Sequence, residues 1–174
     1  MTEKKWVLMT NDDGIEAPGF EHLVKAMNSA GIPLVAFAPS TNKSACSMQL
    51  NLGKPIDLHN RRELIKQWGL DETVGVHLFA LDGTPCDTMI VALDGGLKHV
   101  LPDVEPSLVL SGVNLGPNLS QDSYHSGTMG AAREAGLYGL PAVSDTHHRA
   151  HETPTKLVWR LRLEKGGGGG GGGG

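Results

Sequence analysis

Two cysteines, Cys46 and Cys86, are too few for a disulfide framework. Reduced thiols in a cytosolic protein are the simplest reading. No stretch approaches the apolar length of a membrane span. The opening segment MTEKKWVLMT has a basic start, but its apolar run is too short for a signal peptide and reads as a first strand. Charge of one sign is not in large excess: 15 Lys and Arg stand against 19 Asp and Glu, mixed along the chain, for a formal charge of −4. Without a basic face there is no footprint for a nucleic-acid polymer. A local site for a small anion stays open. The expectation is a cytoplasmic protein with no membrane and no nucleic-acid partner.

Gly166 to Gly174 is a pure glycine run, which holds neither a side-chain core nor one backbone conformation. It reads as a linker, a tag or a placeholder and is set aside. Residues 1–165 are enough for one domain with a sizeable core.

Along those residues, apolar runs alternate with helical spacing. Trp6 to Thr10 predicts a strand, and Phe20, Leu23, Val24 and Met27 fall on one face of a helix that Pro18 can open. PLVAFAP predicts a second strand. STNKSACSMQLNLGKP is a polar loop with weak alternation, read as an antiparallel excursion, and RRELIKQWG as a short helix. Val74 to Leu81 predicts a third strand. TPCDTMIVAL opens a helix with Thr84 as cap, Pro85 first and Asp87 three residues after the cap. SLVLSGVN predicts a fourth strand, GTMGAAREAGLYG a small-residue helix and LPAVS a fifth strand. Strands alternating with helices predict an α/β fold: a Rossmann-like, doubly wound, mostly parallel sheet.

In such sheets ligands bind beyond the carboxyl ends of the strands. TNDDG, PSTNKSACS and SGVNLGPN all fall at such ends. The adjacent acids Asp12 and Asp13 repel each other, and partial burial raises that cost. A divalent cation would relieve it, and carboxylates, hydroxyls and amide carbonyls suit Mg²⁺, Mn²⁺ or Ca²⁺. Taken alone, NDDG is equally well a turn. An anion at the following helix would be repelled by two aspartates unless it arrives on the metal. Ser126, Gly127 and Thr128 open a helix after a loop, where hydroxyls and N–H groups can hold phosphate oxygens. His125 beside them can protonate a leaving alkoxide. Taken alone, these residues read rather as an ordinary Ser/Thr cap beside an unremarkable histidine.

Other segments carry less. FALDGTP resembles the Asp-x-Asp-Gly-Thr motif of haloacid-dehalogenase-type phosphatases, but Ala80 stands where the nucleophile belongs. HSG lacks the Gly-x-Ser-x-Gly frame of a nucleophile elbow. His147, His148 and His151 read as an exposed cluster rather than a metal site.

Taken together, TNDDGIEAPGF, FAPSTNKSACS, LDGTPCDTM and SGVNLGPNLSQDSYHSGTMGAAREAGLYGLPAVS resemble, in order and spacing, the survival protein E (SurE) family. The resemblance covers about Val7 to Ser144. It implies a metal-dependent phosphatase acting on nucleoside 5′-monophosphates, with some activity on 3′-nucleotides and short polyphosphate. It also implies one Mg²⁺ or Mn²⁺ ion, with Ca²⁺ a permitted occupant in crystals, and assembly as a homodimer or homotetramer. By the same resemblance Asp12, Asp13, Ser44 and Asn114 are metal ligands, although Lys43 stands where arginine is more usual. Asn118, His125, Ser126, Gly127 and Thr128 match the segments beside the phosphate, and Asn11 orients the acid loop. Asp13 is base or nucleophile. The segment after Ser144 departs from the family pattern, as an incomplete or divergent C-terminal part. Two alternatives stand beside this reading. One is a receiver-like signalling module, for which Asp82 ends the third strand but no lysine closely follows the fourth or fifth. The other is a metal-binding scaffold without turnover.

Overall fold

A computed structural model describes residues 5–114 and 122–144. Strand β1 (Trp6–Thr10) is buried along its whole length, which is why its sequence is a continuous apolar run rather than an alternating one. Helix α1 (Pro18–Ser29) and strand β2 (Leu34–Pro39) complete a βαβ unit. Strand β3 (Leu58–Asn60), helix α2 (Arg62–Gln67) and strand β4 (Val76–Leu81) follow. Next come helices α3 (Pro85–Val91) and α4 (Leu97–Val100), then strand β5 (Pro106–Ser111). Helices α5 (Asp122–His125) and α6 (Gly127–Leu137) and strand β6 (Ala142–Ser144) complete the described order.

The sheet runs β3-β4-β2-β1-β5-β6. β3 is antiparallel to β4, and the other pairings are parallel. Alternate residues of the central strands feed two cores. Val7, Met9, Leu34, Ala36 and Leu78 pack with Phe20, Leu23, Val24 and Met27 of α1 and with Leu64 and Ile65 of α2. Leu8, Val35, Phe37, Phe79 and Val109 pack with Met89 of α3 and with Ala131 and Ala135 of α6. Helices therefore cover both faces, and the doubly wound α/β expectation holds.

Several local readings hold for identifiable reasons. The Thr84 hydroxyl accepts from Asp87 N–H while the Asp87 carboxylate accepts from Thr84 N–H, a complete capping box with Pro85 in the first turn. α1 begins at Pro18, as read. Other readings shift. Val74 belongs to a 3-10 turn, Glu72–Val74, so the third run of the sequence starts its strand at Val76. The antiparallel excursion is β3, after the polar loop rather than inside it. α3 and α4 are separated by a kink in Ala92–Gly96, where Asp94 (φ −88°, ψ 32°) and Gly95 (φ 105°, ψ −14°) leave the helical conformation.

Chain direction sets the site. From β1 the chain moves to β2 on one side, and β5 lies on the other. The crevice between the carboxyl ends of β1 and β5 is thus the switch point where ligands bind in such sheets. Thr10 and Ser111 are register partners there, and Gly112 N–H donates to the Thr10 carbonyl at 2.9 Å.

Candidate active site

The acid loop leaves β1 at Thr10, whose hydroxyl lies 2.9 Å from that of Thr88. Because Thr88 Oγ1 donates to the Pro85 carbonyl, the Thr10 hydroxyl is the donor to Thr88, which ties the strand end to α3. Asn11 is fully buried. Its Nδ2 donates to the Gly14 carbonyl at 2.8 Å, and its Oδ1 accepts from Gly14 N–H at 3.2 Å. One side chain thus closes the loop from both sides. Gly14 sits at φ 106°, a conformation that a side chain would strain.

The two aspartates are separated by their partners. Asp12 is 3% exposed, and its Oδ1 accepts from the Thr128 hydroxyl at 2.6 Å. Thr128 lies in the first turn of α6, so the Asp12 charge also faces the positive end of that helix. Asp13 is half-buried and turns the other way, accepting from Asn42 Nδ2 at 3.3 Å. Like charges on neighbouring residues are tolerable when each has its own donor.

Asn42 also connects the loops. Its Oδ1 accepts from Ser44 N–H at 2.8 Å, so one amide bridges Asp13 to the Ser44 segment. Lys43 N–H donates to the Asp12 carbonyl at 2.6 Å. The sequence reading missed Asn42; its signal was a second amide in a loop already marked as polar. Beyond Ser44, Ala45 and Ser47 adopt left-handed φ of 59° and 51°, conformations costing ~1–3 kcal/mol each in non-glycine residues. The turn is held by Ser47 N–H donating to the His125 carbonyl at 2.9 Å and by Ser47 Oγ donating to the Tyr124 carbonyl at 2.7 Å.

Helix α6 approaches this loop where side chains are absent. A Cβ on Gly127 would stand 2.8 Å from Cys46 Sγ and 2.9 Å from Asp12 Cβ. One on Gly130 would stand 2.4 Å from the Ser47 carbonyl oxygen. Ser126 caps the helix, its Oγ accepting from Met129 N–H at 3.2 Å. Burial first, and then the charge of Asp12, pushes the Cys46 thiol up. Burial pushes Cys86 up to about 12.

The structure therefore brings Asn11, Asp12, Asp13, Ser44, Ser126, Gly127 and Thr128 into one hydrogen-bonded and packed group. Asn114 is half-buried and follows β5 at the switch point. His125 is exposed at the end of α5, with its carbonyl engaged by Ser47. Asn118, His147, His148, His151 and the glycine run lie outside the described residues. Among the described residues no three His, Cys, Asp or Glu side chains gather at one point. The donors near the acid pair are hydroxyl and amide oxygens, a hard set that fits Mg²⁺ or Mn²⁺. Asp12 retains its second oxygen for such an ion.

The receiver-like alternative fits less well. Such domains place their acceptor strand beside the first strand, whereas β2 separates β4, and so Asp82, from β1. Asp82 instead accepts from the Ser40 hydroxyl at 2.5 Å and lies 3.0 Å from His59 Nε2, which together hold its carboxyl below the usual range. Among the described residues no helix is long and apolar enough to cross a membrane.

Comparison with known proteins follows the same residues. Positions 7–160 match the family described as Survival protein SurE, so the match continues past Ser144, where the motif resemblance ends. The 5′-nucleotidase SurE of Paramagnetospirillum magneticum is 34% identical over 150 residues, covering 86% of this chain and 51% of that protein. The 5′-nucleotidase SurE of Afipia carboxidovorans is 38% identical over 136 residues, covering 78% and 46%. The crystal structure of the SurE protein from Aquifex aeolicus matches with a TM-score of 0.67 at 29% identity, covering 92% of this chain and 59% of that one. The chain thus spans about half the length of the curated relatives it matches. With the motifs in order, the switch-point loops in contact and the match running through most of its length, this chain belongs to the survival protein SurE family.

Proposed function

We propose that the crevice at the β1–β5 switch point is a divalent-metal-dependent phosphomonoesterase site acting on nucleoside 5′-monophosphates, with 3′-nucleotides and short polyphosphate as secondary substrates. The observation that carries this reading is the division of the acid pair. Asp12 is held by Thr128 at a helix N-terminus and Asp13 by Asn42, which also holds the Ser44 segment. Carboxylates, a hydroxyl and the N-terminal backbone of α6 are thereby adjacent.

On this reading Asp12, Asp13, Ser44 and Asn114 would hold one Mg²⁺ or Mn²⁺ ion. When bound, that ion supplies charge neutralisation and Lewis acidity to the phosphoryl group. The chain's own groups supply the rest. The first turn of α6, from the Ser126 cap through Gly127 and Thr128, offers N–H groups to the phosphate oxygens. Asp13, the more exposed acid, accepts the proton of the attacking water or meets the phosphorus itself. His125 gives a proton to the leaving alkoxide. Asn11 keeps the acid loop in shape, and Asn118 completes the oxyanion contacts. A cytoplasmic homodimer or homotetramer is the assembly proposed with this activity.

The test is phosphate release from a panel of nucleoside monophosphates with Mn²⁺, with Mg²⁺ and with EDTA. The expected result is release that requires metal and is lost in Asp13→Asn. Turnover in EDTA, or a fully active Asp13→Asn, overturns the reading. Metal binding without turnover would assign the chain as a scaffold.

A further inference from the structure

The loop from Cys46 to Leu52 carries its polar and apolar residues in alternation; Ser47 and Asn51 turn their side chains to bonded partners, and Gln49, itself exposed, is anchored through its backbone. Ser47 is bonded to Tyr124 and His125. The Gln49 carbonyl accepts from the Thr84 hydroxyl at 2.6 Å. Asn51 donates twice to the Asp87 carboxylate, at 3.1 and 2.8 Å. Between these anchors, Met48, Leu50 and Leu52 are left 37%, 37% and 81% exposed. Tyr124, immediately beyond the Ser47 anchor, is 68% exposed. Six large apolar side chains are exposed among the described residues, and four of them fall on this loop and the α5 segment bonded to it, together called the strip below. The usual inside-out order of a loop is inverted, and the inversion is enforced by hydrogen bonds rather than by slack.

The strip adjoins the phosphate end of the proposed site. Tyr124 lies two residues before the Ser126 cap, and the backbone of Met48 lies against Gly130 in the first turn of α6. An exposed tyrosine and an exposed methionine therefore stand on the two backbone segments that adjoin the helix end proposed to take the phosphate. We propose that Tyr124 and Met48 form a platform for the nucleobase of the substrate, so that a planar aromatic base stacks on them while its phosphate sits at Ser126 to Thr128. This inference rests on the phosphomonoesterase reading. Stacking on an aromatic ring tolerates every base, because each has a π-face. A methionine adapts to bases of different outline. The platform selects for a nucleoside, not for one base.

The test compares AMP with ribose 5-phosphate, which keeps the phosphoester and lacks the base. In Tyr124→Ala the ratio of kcat/KM for AMP to that for ribose 5-phosphate is expected to fall about tenfold, through KM, and Tyr124→Trp should restore it. The anchor to Ser47 uses the Tyr124 carbonyl, so the truncation leaves it in place. An unchanged ratio, with both substrates affected alike or neither affected, overturns the platform. If wild type hydrolyses neither compound, the activity reading has failed instead. Saturation-transfer NMR with adenosine then tests the platform alone: base-proton signals lost in Tyr124→Ala support it, and no signal in wild type overturns it. A concentration-dependent dimer that Leu52→Glu breaks, with the substrate ratio unchanged in Tyr124→Ala, would assign the strip to a subunit interface.

Discussion

Replacing Asn11 by alanine should damage the acid loop more than any surface change near it. Asn11 is fully buried, and both ends of its amide are bonded to the backbone of Gly14, itself buried. Each bond contributes ~0.5–1.5 kcal/mol net, and a buried partner left unsatisfied costs ~1–3 kcal/mol. With two partners at stake, and some relief from water entering the gap, the expected loss is about 2–4 kcal/mol. Gly14 would also lose what holds it at φ 106°, so the placement of Asp12 and Asp13 loosens with it. The assay is urea unfolding followed by circular dichroism. With a slope of roughly 1–2 kcal/mol per molar, the midpoint should fall by about 1–4 M. Asn11→Asp is the companion variant. It keeps the acceptor for Gly14 N–H but sets a carboxylate oxygen against the Gly14 carbonyl and a third charge beside the acid pair. Its deficit relative to wild type should shrink as pH falls and the carboxyl becomes a donor again. A loss below about 0.5 kcal/mol in Asn11→Ala would refute the claim that this side chain holds the loop.

Three further expectations follow from the same geometry. Gly127→Ala forces a methyl to within 3 Å of Cys46 Sγ and Asp12 Cβ and should lower stability by ~1–3 kcal/mol in thermal unfolding, with Cys46→Gly in the same chain returning part of the loss. His77 stacks on Trp6 at a ring separation of 5.5 Å, and burial first, then Arg62, holds its pKa below the ordinary 6.5. The unfolded chain then binds the extra proton, so stability should fall as pH drops below about 6.5, and His77→Phe should flatten that part of the curve. Burial raises Cys86 to about 12, so iodoacetamide at pH 8 should leave it unmodified in the native protein and modify it in urea, as read by mass spectrometry.

Much of the fold was legible because its strands are buried on both sides and its helices carry explicit start signals. Thr84, Pro85 and Asp87 announce α3 by chemistry that the structure reproduces bond for bond. The reading was weaker where tertiary bonds replace local pattern. The alternation around Met48, Leu50 and Leu52 is real, but among the described residues no strand pairs with it; Asp87, Thr84 and Tyr124 hold it instead. Nothing in a linear pattern distinguishes an inward-facing Asn51 from a strand residue. The candidate site was legible as segments and not as bonds. Thr128 was assigned to a phosphate, yet in the described structure its hydroxyl donates to Asp12. Asn42 passed unnoticed because its two partners lie on either side of a loop junction that only the folded chain creates.

The claim that Asp12 and Asp13 form a cation site is tested most directly by Mn²⁺ titration of the metal-free protein and of Asp13→Asn, followed by thermal unfolding. Binding to the folded state alone raises stability with ligand concentration, by ~2.7 kcal/mol at a hundredfold excess over Kd. The account predicts a concentration-dependent rise in Tm for wild type and none for Asp13→Asn. Equal shifts in both proteins, or no shift in wild type, would contradict it.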